Sequence, residues 1–154
     1  MYYIKICNYY NFIMDIKINP QEYLQSYGIK PSLQRIAIME YLIENRIHPT
    51  VEDIYEALYI KVPTLSKTTV YNTIKLFVEQ GAVLALVIDD KNVRFDIDTS
   101  SHAHFQCYGC NKVFDIPVRD AELLQIRQID NFLVTESHLY YKGYCKNCRE
   151  KMVG

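Results

Sequence analysis

Apolar residues recur at three- and four-residue intervals through the first half of the chain, and helix caps stand at the breaks between runs. Asn19-Pro20-Gln21-Glu22 offers an N-cap, a proline at the first helical position and a Glu closing a capping box, with Gly28 ending the helix. After Pro31-Ser32, Ile36, Met39, Leu42 and Ile43 mark a second helix, and Thr50-Val51-Glu52-Asp53 caps a third that carries Ile54, Ala57 and Leu58 inward. Ser66 caps a fourth, running to Gly81 with Val70, Ile74, Phe77 and Val78 as its stripe. AVLALVI and VRFDI then flank the polar run Asp89-Asp90-Lys91-Asn92, which predicts strand, turn and strand. Helices followed by such a hairpin predict a winged helix-turn-helix.

From about Ser100 the pattern changes. HAHFQC and KVFDIP read as short strands, Arg119 to Asp130 as a helix, and FLVTESHLYY as a longer strand. The expected fold class is α+β, with a winged-helix domain over residues 15–98 and an α/β domain over 99–154. Residues 1–14, rich in Tyr, broken by Asn8 and Asn11 and with Lys5 as the single positive charge, make a poor signal peptide. They read as a short extension or the product of an upstream start codon, and Cys7 is given no role.

A chain of 154 residues with 49% hydrophobic content can build real cores. The net charge is -1, and residues 15–90 carry ten acidic against seven basic side chains, so bulk charge does not advertise nucleic acid. Any DNA reading rests on local geometry. The longest apolar run, Ala82 to Ile88, falls far short of the ~20 residues that span a bilayer.

Four of the five cysteines form two CxxC pairs, Cys107/Cys110 and Cys145/Cys148, a spacing typical of thiolate metal sites in a reducing compartment, hence the cytoplasm. Four thiolates complete a tetrahedral Zn²⁺ shell, and the 34 residues between the pairs make the ion a staple between a strand pair and the C-terminal tail. A redox CxxC or disulfides are the alternatives.

That leaves His102 and His104. Two apart on a strand, they face one side while Ala103 and Phe105 face the other. A surface or core-satisfied pair is the plain reading unless further ligands lie near, and Asp96, Asp115 and His48 are the candidates, each among apolar residues where an unpaired polar group is costly. Each of these carboxylates alone is otherwise a solvated charge or a cap. A mixed His and carboxylate shell suits Fe²⁺, Mn²⁺ or Zn²⁺ and would bridge both halves of the chain. A hydrolase or oxygenase built on the same ligands would need a pocket with a general base, and no HExxH or comparable motif is present.

HPTVEDIYEAL, LSKTTVYNTIKLFVEQGAV, RFDI, HAHFQCYGC, KVFD and YCKNC, in that order, resemble the ferric uptake regulator family over about residues 16–150. The resemblance implies a homodimeric, metal-responsive repressor, not an enzyme, with an N-terminal winged helix, a C-terminal dimerisation domain and a structural zinc on the four cysteines. It also implies a regulatory metal on His48, Asp96, His102, His104 and Asp115. Iron-sensing members carry Glu at the position of Asp96 and a run like His-His-Asp-His at 101–104, where this chain has Ser-His-Ala-His. The family's accessory metal site is matched at Glu122, but Ser137 stands where a His is expected and His138 is one place off.

These departures are most similar to the peroxide-sensing branch, in which peroxide reduced at Fe²⁺ on three His and two Asp yields an oxidant that converts a ligand imidazole, here His48 or His102, to a 2-oxo form. Iron-, manganese- or zinc-responsive repression is the alternative. The expected partner is a double-stranded, pseudopalindromic operator, with Tyr71 the base contact, Thr68, Thr69 and Asn72 on bases or phosphates, and Lys67 and Lys75 on phosphates. By resemblance Lys30 reaches a minor groove and Arg35 lies near the DNA backbone.

Overall fold

The computed structural model describes residues 18–119 and 126–153. Its first half is built from four helices whose starts are fixed by side-chain caps. Helix α1 (Pro20–Ser26) begins where Asn19 Oδ1 accepts from the backbone N–H of Gln21 and Glu22, and it stops before Gly28, whose φ of 71° is left-handed. Ser32 caps α2 (Leu33–Glu44), and Thr50 and Asp53 close a reciprocal capping box on α3 (Val51–Leu58). Ser66 caps α4 (Lys67–Glu79) by accepting from Thr69 N–H at 3.1 Å.

The caps aim one apolar face of each helix at a shared centre. Leu24, Ile38, Met39, Ile54, Val70 and Phe77 are fully buried there, and Ile74 and Leu42 nearly so. Ala57, expected inward, is exposed: the short α3 buries only Ile54 and Leu58, four apart.

The hairpin is shorter than its apolar run. Strands β1 (Leu84–Leu86) and β2 (Arg94–Asp96) pair antiparallel with Leu84 opposite Asp96 and Leu86 opposite Arg94. Beyond Leu86 the chain leaves the ladder because Leu86 and Ile88, both fully buried, pack against Val113 and Tyr140 of the second half. Burial of apolar surface outweighs two more ladder positions here.

The second half centres on β3 (Ala103–Cys107), the middle of a three-stranded sheet. It pairs antiparallel with β4 (Val113–Ile116) and parallel with β7 (Tyr140–Gly143). Between them β5 (Gln128–Ile129) and β6 (Phe132–Leu133) form a separate hairpin, and α5 (Lys146–Val153) follows β7.

Two expectations are corrected. The helix expected over Arg119–Asp130 lies partly outside the described residues, and its end is strand: Asp130 at φ 50° reverses the chain, so Gln128 and Ile129 pair with Leu133 and Phe132. The single strand expected over FLVTESHLYY is split, since Phe132–Leu133 serves that hairpin while Tyr140–Gly143 joins β3, and the segment between them passes from one sheet to the other. Among the described residues no helix is long and apolar enough to cross a membrane.

Phe77 is the largest fully buried side chain of the helical core. Phe77→Ala should cost about 3–5 kcal/mol of stability by emptying that volume, read from urea unfolding. A loss under about 1 kcal/mol would mean the four helices do not share one close-packed core.

Candidate functional site

Strand β3 supplies ligands from both of its faces. Alternation sends His104 to one side and Cys107 to the other, with Cys107 at the strand's end. The turn after β3 brings Cys110 beside Cys107, and the residues after β7 bring Cys145 and Cys148, so that the four sulfurs lie within 4.8 Å of one another. All four are free thiols, and Cys110 Sγ and Cys145 Sγ are 3.9 Å apart. Thiolates on one tetrahedral Zn²⁺, each about 2.3 Å from the ion, are separated by nearly that distance. The N–H of Cys145 donates to Cys107 Sγ and pulls that thiol's pKa down to about 6, whereas a hydrogen bond with Cys145 and burial push Cys148 up to about 12. Zn²⁺ would favour the thiolate form of all four.

Gly109 is needed for this approach. A Cβ there would sit 2.7 Å from Cys148 Cβ and 2.8 Å from its Sγ.

The other cluster forms at the junction of the two halves. His48 comes from the α2–α3 loop, Asp96 from the end of β2, His102 and His104 from the start of β3, and Asp115 from β4 directly opposite His104. His102 Nε2 and His104 Nε2 each lie 3.0 Å from Asp96 Oδ2, and His48 Nε2 lies 2.7 Å from Asp115 Oδ1. The ligand atoms of His48, Asp96, His104 and Asp115 all fall within 4.8 Å of one another, and His102 touches both carboxylates, 3.3 Å from Asp115. His48, Asp96, His102 and His104 are buried, while Asp115 is exposed and leaves one edge open.

The donor set fits a divalent ion. His102 Nδ1–H donates to the Ser100 carbonyl at 2.9 Å, which leaves Nε2 to face Asp96. A neutral imidazole would then aim a lone pair at an anionic oxygen, so a cation, proton or metal, belongs between them. Three such nitrogens and two carboxylates in a buried site provide the mixed shell of a hard or borderline divalent metal. Burial disfavours charge on His48 and His102, but hydrogen bonds to Asp115 and Asp96 outweigh it and raise their pKa values to about 9 and about 10. Burial would raise Asp96 and Asp115, yet hydrogen bonds from the facing imidazoles hold both carboxyls well below the usual range.

Beside this cluster is a cavity of about 290 Å³ lined by Ser101, His102, His104, Glu136 and His138 among others. His138 pairs with Glu136 at 3.3 Å and lies apart from the five-residue cluster, and Glu122 is outside the described residues.

The nucleic-acid candidates fall into two groups. Thr68, Tyr71, Asn72 and Lys75 are exposed on α4, and a groove of about 630 Å³ separates Tyr71 and Lys75 from Lys91 and Val93 of the β1–β2 connection. Lys67, Thr69 and Arg35 are engaged within the protein. Lys67 pairs with Glu52 and lies over the Tyr55 ring, the Thr69 hydroxyl bonds Ser66 of the cap, and Arg35 donates to the Lys30 carbonyl at 2.7 Å. Lys30 itself is exposed. Sequence reasoning passed over Arg94 and Asp89, which form a partly buried ion pair beside the cluster; the signal was an arginine at the start of RFDI, two residues before Asp96.

The ferric uptake regulator family model matches residues 26–142. The peroxide-responsive repressor PerR of Staphylococcus epidermidis is 39% identical over 131 residues, covering 83% of this chain and 87% of its own. The peroxide operon regulator of Bacillus subtilis is 39% identical over 132 residues, covering 84% and 91%. The ferric uptake regulator of Vibrio cholerae has a similar structure, with a TM-score of 0.64 at 26% identity over 81% of this chain and 98% of its own.

Two outcomes follow from the geometry. Gly109→Ala should make the protein lose zinc to a chelator faster than the wild type, read as metal content against time, and equal rates would show that Cys148 can move away at no cost. In the metal-free protein His48 and His102 hold protons at neutral pH, and an incoming ion must displace them. Metal uptake should therefore release about two protons, and Mn²⁺ affinity should rise by up to about a hundredfold per pH unit below pH 9. Calorimetric titration at pH 6.5 and pH 8 measures this, and a pH-independent affinity would refute it.

Proposed function

Because the chain belongs to the ferric uptake regulator family, we propose that it is a metal-dependent, sequence-specific DNA-binding repressor that senses peroxide through Fe²⁺-dependent oxidation of a ligand histidine. The observation that carries the reading is the convergence of His48 and Asp96 from the first half with His102, His104 and Asp115 from the second. Both carboxylates are Asp, and the relatives at 39% identity are named for peroxide response.

In this reading residues 15–98 are the winged helix, residues 99–154 the dimerisation unit, and Cys107, Cys110, Cys145 and Cys148 hold structural Zn²⁺. The regulatory five hold Fe²⁺ or Mn²⁺. A shell drawn from both halves favours whichever mutual arrangement closes it, and that arrangement is the DNA-competent one. When bound, Fe²⁺ would supply the redox chemistry that activates peroxide next to its ligands, giving up one electron to peroxide and regaining it from the oxidised ring, so that iron undergoes no net change. At His48 or His102 a ring carbon exchanges its C–H for one peroxide oxygen and the second oxygen leaves as water, a two-electron oxidation that weakens the ring as a ligand. The operator contact then lapses.

Homodimer formation is supported by the β5–β6 hairpin, which exposes Ile129, Phe132 and Leu133, the last two at 72% and 81%. A two-fold dimer presents two copies of α4 to a pseudopalindrome, with Tyr71, Thr68, Thr69 and Asn72 toward bases or phosphates and Lys67, Lys75, Lys30 and Arg35 toward the backbone and minor groove. Lys67 would have to leave Glu52, an exchange between exposed charges that costs little.

The test loads the protein with Fe²⁺ or Mn²⁺ and binds each form to DNA selected from a random-sequence pool. Peroxide should release the Fe²⁺ form and add one oxygen to the peptide bearing His48 or His102, while leaving the Mn²⁺ form bound. Retained DNA binding with no added oxygen would exclude peroxide sensing and leave iron- or manganese-responsive repression.

A further inference from the structure

Arg94 stands two residues before Asp96 on β2 and belongs to no ligand set. Its Nε and one Nη donate to Asp89 Oδ2 at 3.1 and 3.0 Å, and its other Nη donates to the backbone carbonyl of His48 at 3.3 Å. The Asp89 side chain is 4% exposed and that of Arg94 13%, so a buried carboxylate pairs with a partly buried guanidinium that has a backbone group as third partner.

His48 is a residue that needs holding. Its φ of 54° is left-handed, which is costly for any residue bearing a Cβ and is further restricted before a proline. Its buried Nδ1 has no hydrogen-bond partner among the described residues, which leaves the nitrogen that faces the carboxylates as the ring's anchor there. The loop is tied down instead through its main chain: Phe95 N–H donates to the Pro49 carbonyl at 3.0 Å, and Arg94 takes the carbonyl of His48.

The same pair reaches toward the cysteines. Asp89 Oδ2 also accepts from Asn111 Nδ2 at 3.4 Å, Asn111 Oδ1 accepts from Gln106 Nε2 at 2.8 Å, and Asn111 N–H donates to the Cys107 carbonyl at 2.8 Å. Asn111 directly follows Cys110 and holds a left-handed φ of 56°. Polar groups thus run without a break from the Cys107–Cys110 turn to the main chain of His48, and Asp89 and Gln106 along it are buried.

We infer that Arg94 is a positioning residue, fixing His48 for metal binding and, through Asp89 and Asn111, referencing it to the four-cysteine turn. The inference rests on the reading of the His/Asp cluster as a metal site. It makes the zinc-held sheet the frame against which the first half's ligand is set. Lysine cannot replace Arg94, since only the planar fork serves Asp89 and the carbonyl together.

The test is Mn²⁺ affinity, followed by the electron paramagnetic resonance of free Mn²⁺ on the full chain with zinc bound. Arg94→Met should lower it about 10–100-fold, the range for residues that orient metal ligands, with zinc content unchanged. Arg94→Met leaves Asp89 buried without its counter-charge, so Asp89→Leu with Arg94→Met, which removes both charges, keeps the test independent of folding and should show the same loss. Lys142→Met cuts the exposed ion pair to Asp90 between the same two halves and should leave affinity within about twofold. Asn111→Ala should weaken binding less than Arg94→Met and add little to it in the double variant, because the two act through one chain. Wild-type affinity in the Asp89→Leu, Arg94→Met variant overturns the positioning role, and full additivity with Asn111→Ala overturns the link to the cysteines. Absence of Mn²⁺ binding by the wild type would instead sink the metal-site reading beneath it.

Discussion

Asp96 is the group around which the two halves of the molecule are arranged. Its carboxylate is buried, and a second carboxylate, that of Asp115, reaches the same three imidazoles. Two anions this close in a water-poor junction repel each other unless positive charge sits among them. Protons on His48 and His102 meet that need in the metal-free chain, and one divalent ion meets it with fixed geometry. The imidazole that approaches Asp115 most closely, His48, belongs to the helical half, so neutralising the charge and holding the halves together are one event.

The sheet makes this possible by using β3 twice. Its alternation separates an imidazole face from the cysteine at its end, so neighbouring residues could serve two metals of different chemistry without exchanging ligands. Parallel pairing with β7 brings Cys145 and Cys148 back beside Cys107 only after a long crossover, and a parallel pair made that way closes a large loop. A four-thiolate Zn²⁺ at Cys107, Cys110, Cys145 and Cys148 would fasten the crossover at the strand ends. Close packing of Gly109 on Cys148 leaves little slack there, and Asn111 carries that rigidity toward Asp89.

Much of this was legible in the sequence because the signals are local. Asn19, Ser32, Thr50 and Ser66 announce their helices through bonds to residues two or three further on, and the paired CxxC and HxH spacings are set by turn and strand geometry. What was not legible depends on distant partners. The β5–β6 hairpin hinges on Asp130 taking a left-handed turn, which competes with a helical pattern of equal local merit. Ile88 looks like a strand position, and only Val113 and Tyr140, far along the chain, draw it out of the ladder. Lys67 reads as a free cation until α3 places Glu52 beside it. Arg94 reads as one polar residue on an apolar strand, and its meaning comes from a carbonyl 46 residues away.

The junction also constrains how loss of the metal can be transmitted. Besides the ligands, the described residues of the two halves touch through the apolar contact of Leu86 and Ile88 with Val113 and Tyr140, the Tyr140 hydroxyl on Val87 N–H, the Asp89–Asn111 contact and the exposed Lys142–Asp90 ion pair. None of these involves a ligand, and the apolar one is fully buried on the hairpin side, so it persists when the shell opens. Releasing His48 and Asp96 therefore removes restraint on one side of the hairpin while the other side stays packed. Under the proposed function, motion of the helical half would then be a pivot about the β1–β2 hairpin rather than a separation, and α4, packed against the same core as α3, would be carried with it.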